Sequence, residues 1–189
     1  MCPDELMIIR IFLALELPKT VRNKLSLHVE LISGHDKLQQ IRWFPKENYH
    51  LTLAFLGNVE YALARSIQLK LEQNLSYNKA IPFRFSEITP FPFSGTPKIA
   101  AAILERSDEL MQLQHNTAKC VRAFGISLER KRFTPHITLG RMKSRSRKSL
   151  AFQPQQILLD GVSEKVVIFQ SELAPKGAVY SSLGEISLM

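Results

Sequence analysis

The sequence predicts an α+β fold: two pseudo-duplicated lobes with antiparallel-rich sheets facing one another across a central cleft, and helices on the outside. Two observations lead there. Apolar residues alternate and then recur at helical spacing in two successive strand–helix–strand cycles. The closing strand of each cycle carries the same pattern, His50-x-Thr52-Leu53 in "NYHLTLAFLG" and His136-x-Thr138-Leu139 in "FTPHITLGR", 86 residues apart. With 5 histidines in 189 residues, composition alone gives roughly 0.03 His-x-Thr-Leu matches per chain, so two of them call for a physical explanation.

The first cycle opens with "IIRIFLALE", where Ile9, Ile11, Leu13 and Leu15 share one side of a strand that ends at Pro18. Val21, Leu25, His28 or Val29, and Ile32 then recur at helical spacing, with Gly34 placed as a helix stop. "IRWFPKENYHLTLAFLG" supplies a short extended piece, a proline turn and a strand closing at Gly57. Asn58 is a candidate cap for a helix striped by Leu63, Ile67, Leu71 and Leu75. "PFRFSEI" reads as a strand, "TPFPFSGTP" as a bend and "KIAAAIL" as the strand that opens the second cycle. Ser107 caps a helix with Asp108 and Glu109 in its first turn and Leu110, Leu113, Thr117, Val121 and Phe124 along one face, ending before Gly125. "FTPHITLGR" follows, and "KVVIFQSEL" and "AVYSSLGEISL" add two strands. The whole chain, 1–189, is read as a single bilobal domain with its motifs at 50–53 and 136–139.

Composition narrows the class. A hydrophobic share of 45% with 22% charged residues suits a globular chain with a full core. Cys2 and Cys120 lie far apart, which argues against a disulfide framework and for a reducing, cytoplasmic setting. No apolar run has the length of a bilayer span, and "MCPDELM" lacks the basic start of a secretory signal. Net charge of +8 favours an anionic partner, and it concentrates around the second motif: Arg130, Lys131 and Arg132 before it, and Arg141, Lys143, Arg145, Arg147 and Lys148 after it.

Side chains two apart on a strand share a face. His50 and Thr52 therefore point into the groove while Leu51, Leu53 and Phe55 point to the core; His136 and Thr138 likewise face the groove above Ile137 and Leu139. Imidazole titrates near pH 6.5, so one of two histidines can be held protonated and the other neutral, an acid and a base. A strained phosphodiester needs both, one to activate water and one to protonate the departing oxygen. Threonine hydroxyls can donate to the non-bridging oxygens, where carboxylates would repel the phosphate. His28 and His115 read as helix-surface residues and His35 as part of a helix-ending loop. Zinc ligation by the pair is disfavoured, since two imidazoles fall short of the usual three or four donors.

The motif blocks "RWFPKENYHLTLAFLG" and "RFTPHITLGR", with "RIFLALELP" at the start and "SELAPKGAVYSSLGEISL" at the end, resemble the 2H phosphoesterases. Within that superfamily the resemblance is to the RNA 2',3'-cyclic phosphodiesterases, also called 2'-5' RNA ligases. Agreement extends to Trp43, Pro45, Asn48, Gly57, Phe133, Pro135 and Arg141. The resemblance implies hydrolysis of the 2',3'-cyclic phosphate end of RNA to a 2'-phosphomonoester, with no metal or other cofactor. By motif, His50 matches the proton donor to the leaving 3' oxygen and His136 the proton acceptor from water. Thr52, Thr138 and Arg141 match substrate-binding residues, although strand parity from His136 aims Arg141 away from the cleft unless a twist or bulge intervenes near Gly140. One departure is that "KIAAAIL" has small residues where many relatives carry a tryptophan.

The sequence has neither a G-x-x-x-x-G-K-[ST] loop nor a Lys-x-Asp-Gly adenylation motif. Any 2'-5' joining is therefore expected to run without ATP, as the reverse reaction. The expected partner is RNA with a 2',3'-cyclic phosphate terminus, acted on by a monomer away from membranes. Two other readings keep the groove: a phosphodiesterase for small cyclic nucleotides or ADP-ribose cyclic phosphate, and a non-catalytic RNA-binding module.

Overall fold

A computed structural model describes residues 7–36, 39–143, 152–174 and 177–189. Among these residues, ten strands and three α-helices follow in the order β1 (Ile8–Glu16), α1 (Lys19–His35), β2 (Ile41–Trp43), β3 (His50–Glu60), α2 (Tyr61–Leu75), β4 (Ile81–Phe91), β5 (Ile99–Leu104), α3 (Asp108–Ala123), β6 (His136–Met142), β7 (Gln155–Gln156), β8 (Asp160–Ser163), β9 (Lys165–Ala174) and β10 (Gly177–Ser187). The strands pair antiparallel in the order β10-β9-β1-β3-β6-β5-β4-β7, with β2 added to β6 and β8 to β4. No helix among the described residues is long and apolar enough to cross a membrane.

The two expected sheets are joined edge to edge by one residue pair, Leu51 on β3 opposite Ile137 on β6. Both are the middle residue of a His-x-Thr motif, and both are fully buried. Beyond this pair the β6 edge passes to β2, where Phe44 N–H donates to the Leu139 carbonyl at 2.8 Å and Trp43 pairs with Gly140. Burial of Ile9, Ile11, Leu13 and Leu15 holds one face of β1 in the core, and Val21, Leu25, Val29 and Ile32 seat α1 there. Val29 rather than His28 takes the buried position. The side chain of Ser107 caps α3 by accepting from Leu110 N–H at 3.2 Å, and Gly125 ends that helix at φ +79°.

Several boundaries differ from the sequence reading. Gly34 is helical and α1 runs on to His35, after which the Asp36 carboxylate accepts from the N–H groups of Gln40 and Ile41 at 2.8 and 3.0 Å. Strand β3 does not close at Gly57. That residue takes φ +75° in a bulge and the strand resumes, pairing Asn58, Val59 and Glu60 with Arg10, Ile9 and Ile8. Asn58 is therefore a strand residue, and Glu60 precedes α2 without a side-chain cap. Strand β4 reaches into the expected bend through Pro90, which pairs with Ala100 beyond the last residue that β7 covers, where a missing N–H costs little. The short strands β7 and β8 had no counterpart in the sequence reading. Arg145, Arg147 and Lys148 of the basic segment lie outside the described residues, as does Cys2.

Candidate active site

The pairing of Leu51 with Ile137 decides where the motifs sit. Carried one residue each way in antiparallel register, it sets His50 level with Thr138 and Thr52 level with His136, all four on the face opposite the two buried apolar residues. Each histidine thus stands across from the threonine of the other motif.

The halves match residue by residue. On β3, Thr52 and Ala54 pair with Ala14 and Leu13 of β1; on β6, Thr138 and Gly140 pair with Ala101 and Ala100 of β5. Each motif strand therefore carries a bulge at the same step, just after its threonine. A bulge inverts the alternation downstream. It turns Arg141 into the cleft, as the motif requires and simple parity does not allow, and it does the same to Phe55. The expectation that Phe55 faces the core is corrected here: it is 47% exposed and lines the cleft, with the Arg10 guanidinium 5.0 Å from its ring centre.

A cavity of about 450 Å³ lies over this face, lined by His50, Thr52, Thr138 and Arg141, together with Arg10, Arg42 and Tyr180. His136 is not among the lining residues; its ring stacks on Phe91, centroids 4.6 Å apart. His50 is enclosed by rings: Phe12 at 4.7 Å, Phe169 at 5.7 Å and Tyr180 edge-on at 5.3 Å. Both histidines are tied to the backbone two residues upstream. His136 Nδ1 lies 2.8 Å from the Thr134 carbonyl, and His50 hydrogen-bonds the backbone of Asn48. A carbonyl can only accept, so Nδ1 of His136 carries the hydrogen and Nε2 keeps its lone pair. The start of β6 is itself latched, Leu104 N–H donating to the Pro135 carbonyl at 3.0 Å.

Burial holds the His50 imidazole down at about 4, opposed by the Asn48 hydrogen bond and assisted by the nearby His136. Burial also lowers His136, against the Thr134 hydrogen bond. Both rings are therefore neutral near pH 7 in the unliganded protein, which differs from the expected pairing of one charged and one neutral imidazole. No carboxylate lines the cavity among the described residues to hold a proton on either ring.

Among the cleft residues that were not singled out in the sequence are Arg10, Arg42 and Tyr180. Arg10 follows from the alternation of β1, since the partners of Ile9 and Ile11 must face the other way. Arg42 and Tyr180 carry no such signal, because their place depends on β2 joining β6 and β10 joining β9. Of the remaining histidines, His115 is exposed on α3 as expected; His28 is half-buried beside the buried stripe of α1, and His35 is the last residue of that helix rather than part of a loop, with its Nδ1 2.7 Å from the Leu31 carbonyl.

The chain is similar in sequence and fold to several known proteins. A curated RNA 2',3'-cyclic phosphodiesterase of Thermus thermophilus is 32% identical over 190 residues, covering 95% of this chain and 90% of its own. One from Archaeoglobus fulgidus is 29% identical over 181 residues, covering 92% and 97%. A crystal structure of a Thermus thermophilus protein superposes with a TM-score of 0.80 at 29% identity, covering 95% of this chain and 98% of that one. The E. coli LigT protein in complex with 3'-AMP shares the fold at a TM-score of 0.77 and 20% identity, covering 97% and 99%. The family model of the 2'-5' RNA ligase superfamily matches residues 26–157, which include both His-x-Thr motifs, and the chain belongs to that superfamily.

Proposed function

We propose that the protein, acting as one bilobal domain over 1–189, hydrolyses the 2',3'-cyclic phosphate end of RNA to a 2'-phosphomonoester. His50 and His136 serve as acid and base. The observation that supports this reading is the Leu51–Ile137 pair, which joins the two motif strands with His50, Thr52, His136 and Thr138 on the face opposite it. Nε2 of His136 takes a proton from water as its oxygen bonds to phosphorus; the bond from phosphorus to the 3' oxygen breaks, and His50 gives that oxygen a proton. Thr52 and Thr138 donate to the non-bridging oxygens, and Arg141 balances the charge that grows there. His50 is neutral in the free protein, so it takes up its proton together with the anionic substrate, whose charge favours imidazolium. An RNA 5'-hydroxyl in place of water gives 2'-5' joining without ATP.

The test uses an oligoribonucleotide with a 2',3'-cyclic phosphate end, with product identified by phosphorus NMR. His50→Ala and His136→Ala should each lower kcat/KM by about a hundredfold to ten-thousandfold while the circular dichroism spectrum is kept. Folded variants with full hydrolysis would remove both histidines from the chemistry and leave an RNA-binding groove.

A further inference from the structure

Each motif histidine has a phenyl ring laid against it in almost the same way. Phe12 and His50 have centroids 4.7 Å apart with 30° between their planes; for Phe91 and His136 the values are 4.6 Å and 29°. The two phenyl rings come from different places. Phe12 stands on β1, next to β3, whereas Phe91 stands at the end of β4, two strands away from β6.

The reach of Phe91 has its cause in the strand between. Phe91 is opposite Ile99 and His136 is opposite Ile103, so the line joining them crosses β5 at Ala101. Ala101 is opposite Thr138, and residues paired in this way project to the same face, here the face of the motifs. In the other half Ala14 is opposite Thr52, midway between Phe12 and Glu16, the partner of His50. Both alanines are fully buried. A longer side chain at either would stand where the rings meet, which gives the small residues of β5 a use. Phe93 in turn meets Phe91 edge-to-face, with centroids 5.3 Å apart and planes at 84°.

Such a stack does two things for an imidazole that acts as a base. The Thr134 carbonyl holds His136 at Nδ1, but a single hydrogen bond leaves the ring free to tilt about it. A flat surface against the ring fixes its plane, and with it the direction of Nε2. A phenyl face also carries negative partial charge and favours a cation lying over it within about 6 Å. His136 becomes a cation as it takes the proton from water, so this attraction grows on the way to the transition state and lowers the barrier.

We propose that Phe91 is the positioning residue of His136: it fixes the plane of the imidazole, and its ring face stabilises the imidazolium that forms there. This rests on the proposed function, in which His136 is the base, and adds to it a residue that acts through that base.

The test replaces Phe91 with phenylalanines carrying one, three or five fluorines, which keep the shape of the ring while draining its face of negative charge, and separately with leucine and tyrosine. Hydrolysis of an oligoribonucleotide with a 2',3'-cyclic phosphate end should lose kcat in the order of fluorination, by about twofold to thirtyfold at full fluorination, with KM nearly unchanged. Phe91→Leu should lose at least as much, and Phe91→Tyr, which keeps the ring, should retain most of kcat. A kcat that is flat across the fluorinated series would overturn the proposal, as would a loss carried by KM, since Phe91 would then act on the substrate. The fluorinated rings keep the packing, so this reading stands even where Phe91→Leu does not fold. Titration of His136 by NMR across the same series needs no turnover: its proton affinity should fall with fluorination, because the charges around the cleft are the same in every member. An unchanged titration would overturn the proposal whether or not the substrate is hydrolysed. A falling titration without hydrolysis by the wild type would support the hold of Phe91 on His136 and remove the proposed function.

Discussion

Replacing His50 with glutamine should make the protein less sensitive to acid. In the folded chain His50 titrates at about 4, against 6.5 for an unperturbed histidine, because burial among Phe12, Phe169 and Tyr180 penalises its charged form. Between those values the unfolded chain binds a proton that the folded chain refuses. Stability contributed by neutral His50 is therefore present above pH 6.5 and is lost as pH falls towards 4. Two and a half pKa units correspond to roughly 3 kcal/mol, of which about 2 kcal/mol is lost between pH 7 and pH 5. The lowered pKa of His136 adds to the loss with the same sign. Urea midpoints measured from pH 7.5 to 4.5 for the wild type and His50→Gln isolate the effect as the pH dependence of their difference, since carboxylate titration is common to both. The gap should move by about 2 kcal/mol in favour of His50→Gln between pH 7 and 5. A gap that stays constant across this range would show that His50 is not held neutral by burial.

Three further outcomes are expected. The pH profile of kcat/KM, which reports the free protein, should be bell-shaped with its maximum on the acid side of 6.5, because both histidines are lowered there; a flat profile from pH 5 to 9 would remove the two-histidine scheme. Gly140→Ala should destabilise the protein by about 1–3 kcal/mol in thermal melts, since a Cβ there would meet the Arg42 carbonyl at 2.9 Å and Ile41 Cγ2 at 2.7 Å, and the backbone of β2 cannot yield like a side chain. Unchanged melting would mean that β2 does not pack against β6 as described. Exhaustive chelation should leave hydrolysis intact, as the proposed steps use imidazole, hydroxyl and guanidinium groups alone, and activity lost to chelation and restored by a metal would overturn them.

Much of this protein was legible in the sequence because its strands keep one face buried. Alternation in "IIRIFLALE" and the stripe Val21, Leu25, Ile32 are local consequences of burial, and they emerge without knowledge of partners. Ser107 and Gly125 mark the ends of α3 for equally local reasons, a side-chain acceptor and a left-handed backbone. Alternation failed where a bulge intervened. Phe55 and Arg141 both follow bulges at equivalent steps, and a bulge is visible only against the strand it pairs with. The end of β3 was misplaced for the same reason, since Gly57 punctuates a chain whose pairing with β1 continues beyond it.

Thus the sequence by itself determined the α+β class, the duplicated His-x-Thr pattern, and the face on which His50, Thr52, His136 and Thr138 lie. All of these follow from short-range periodicity. Only the tertiary structure decided that the motifs meet through a single residue pair, Leu51 with Ile137, that each histidine faces the other motif's threonine, and that Arg42 and Tyr180 enter the cleft. It also decided that both imidazoles are neutral. The physical reason is that register, bulges and desolvation are properties of paired strands and packed rings, and no window along one strand contains its partner.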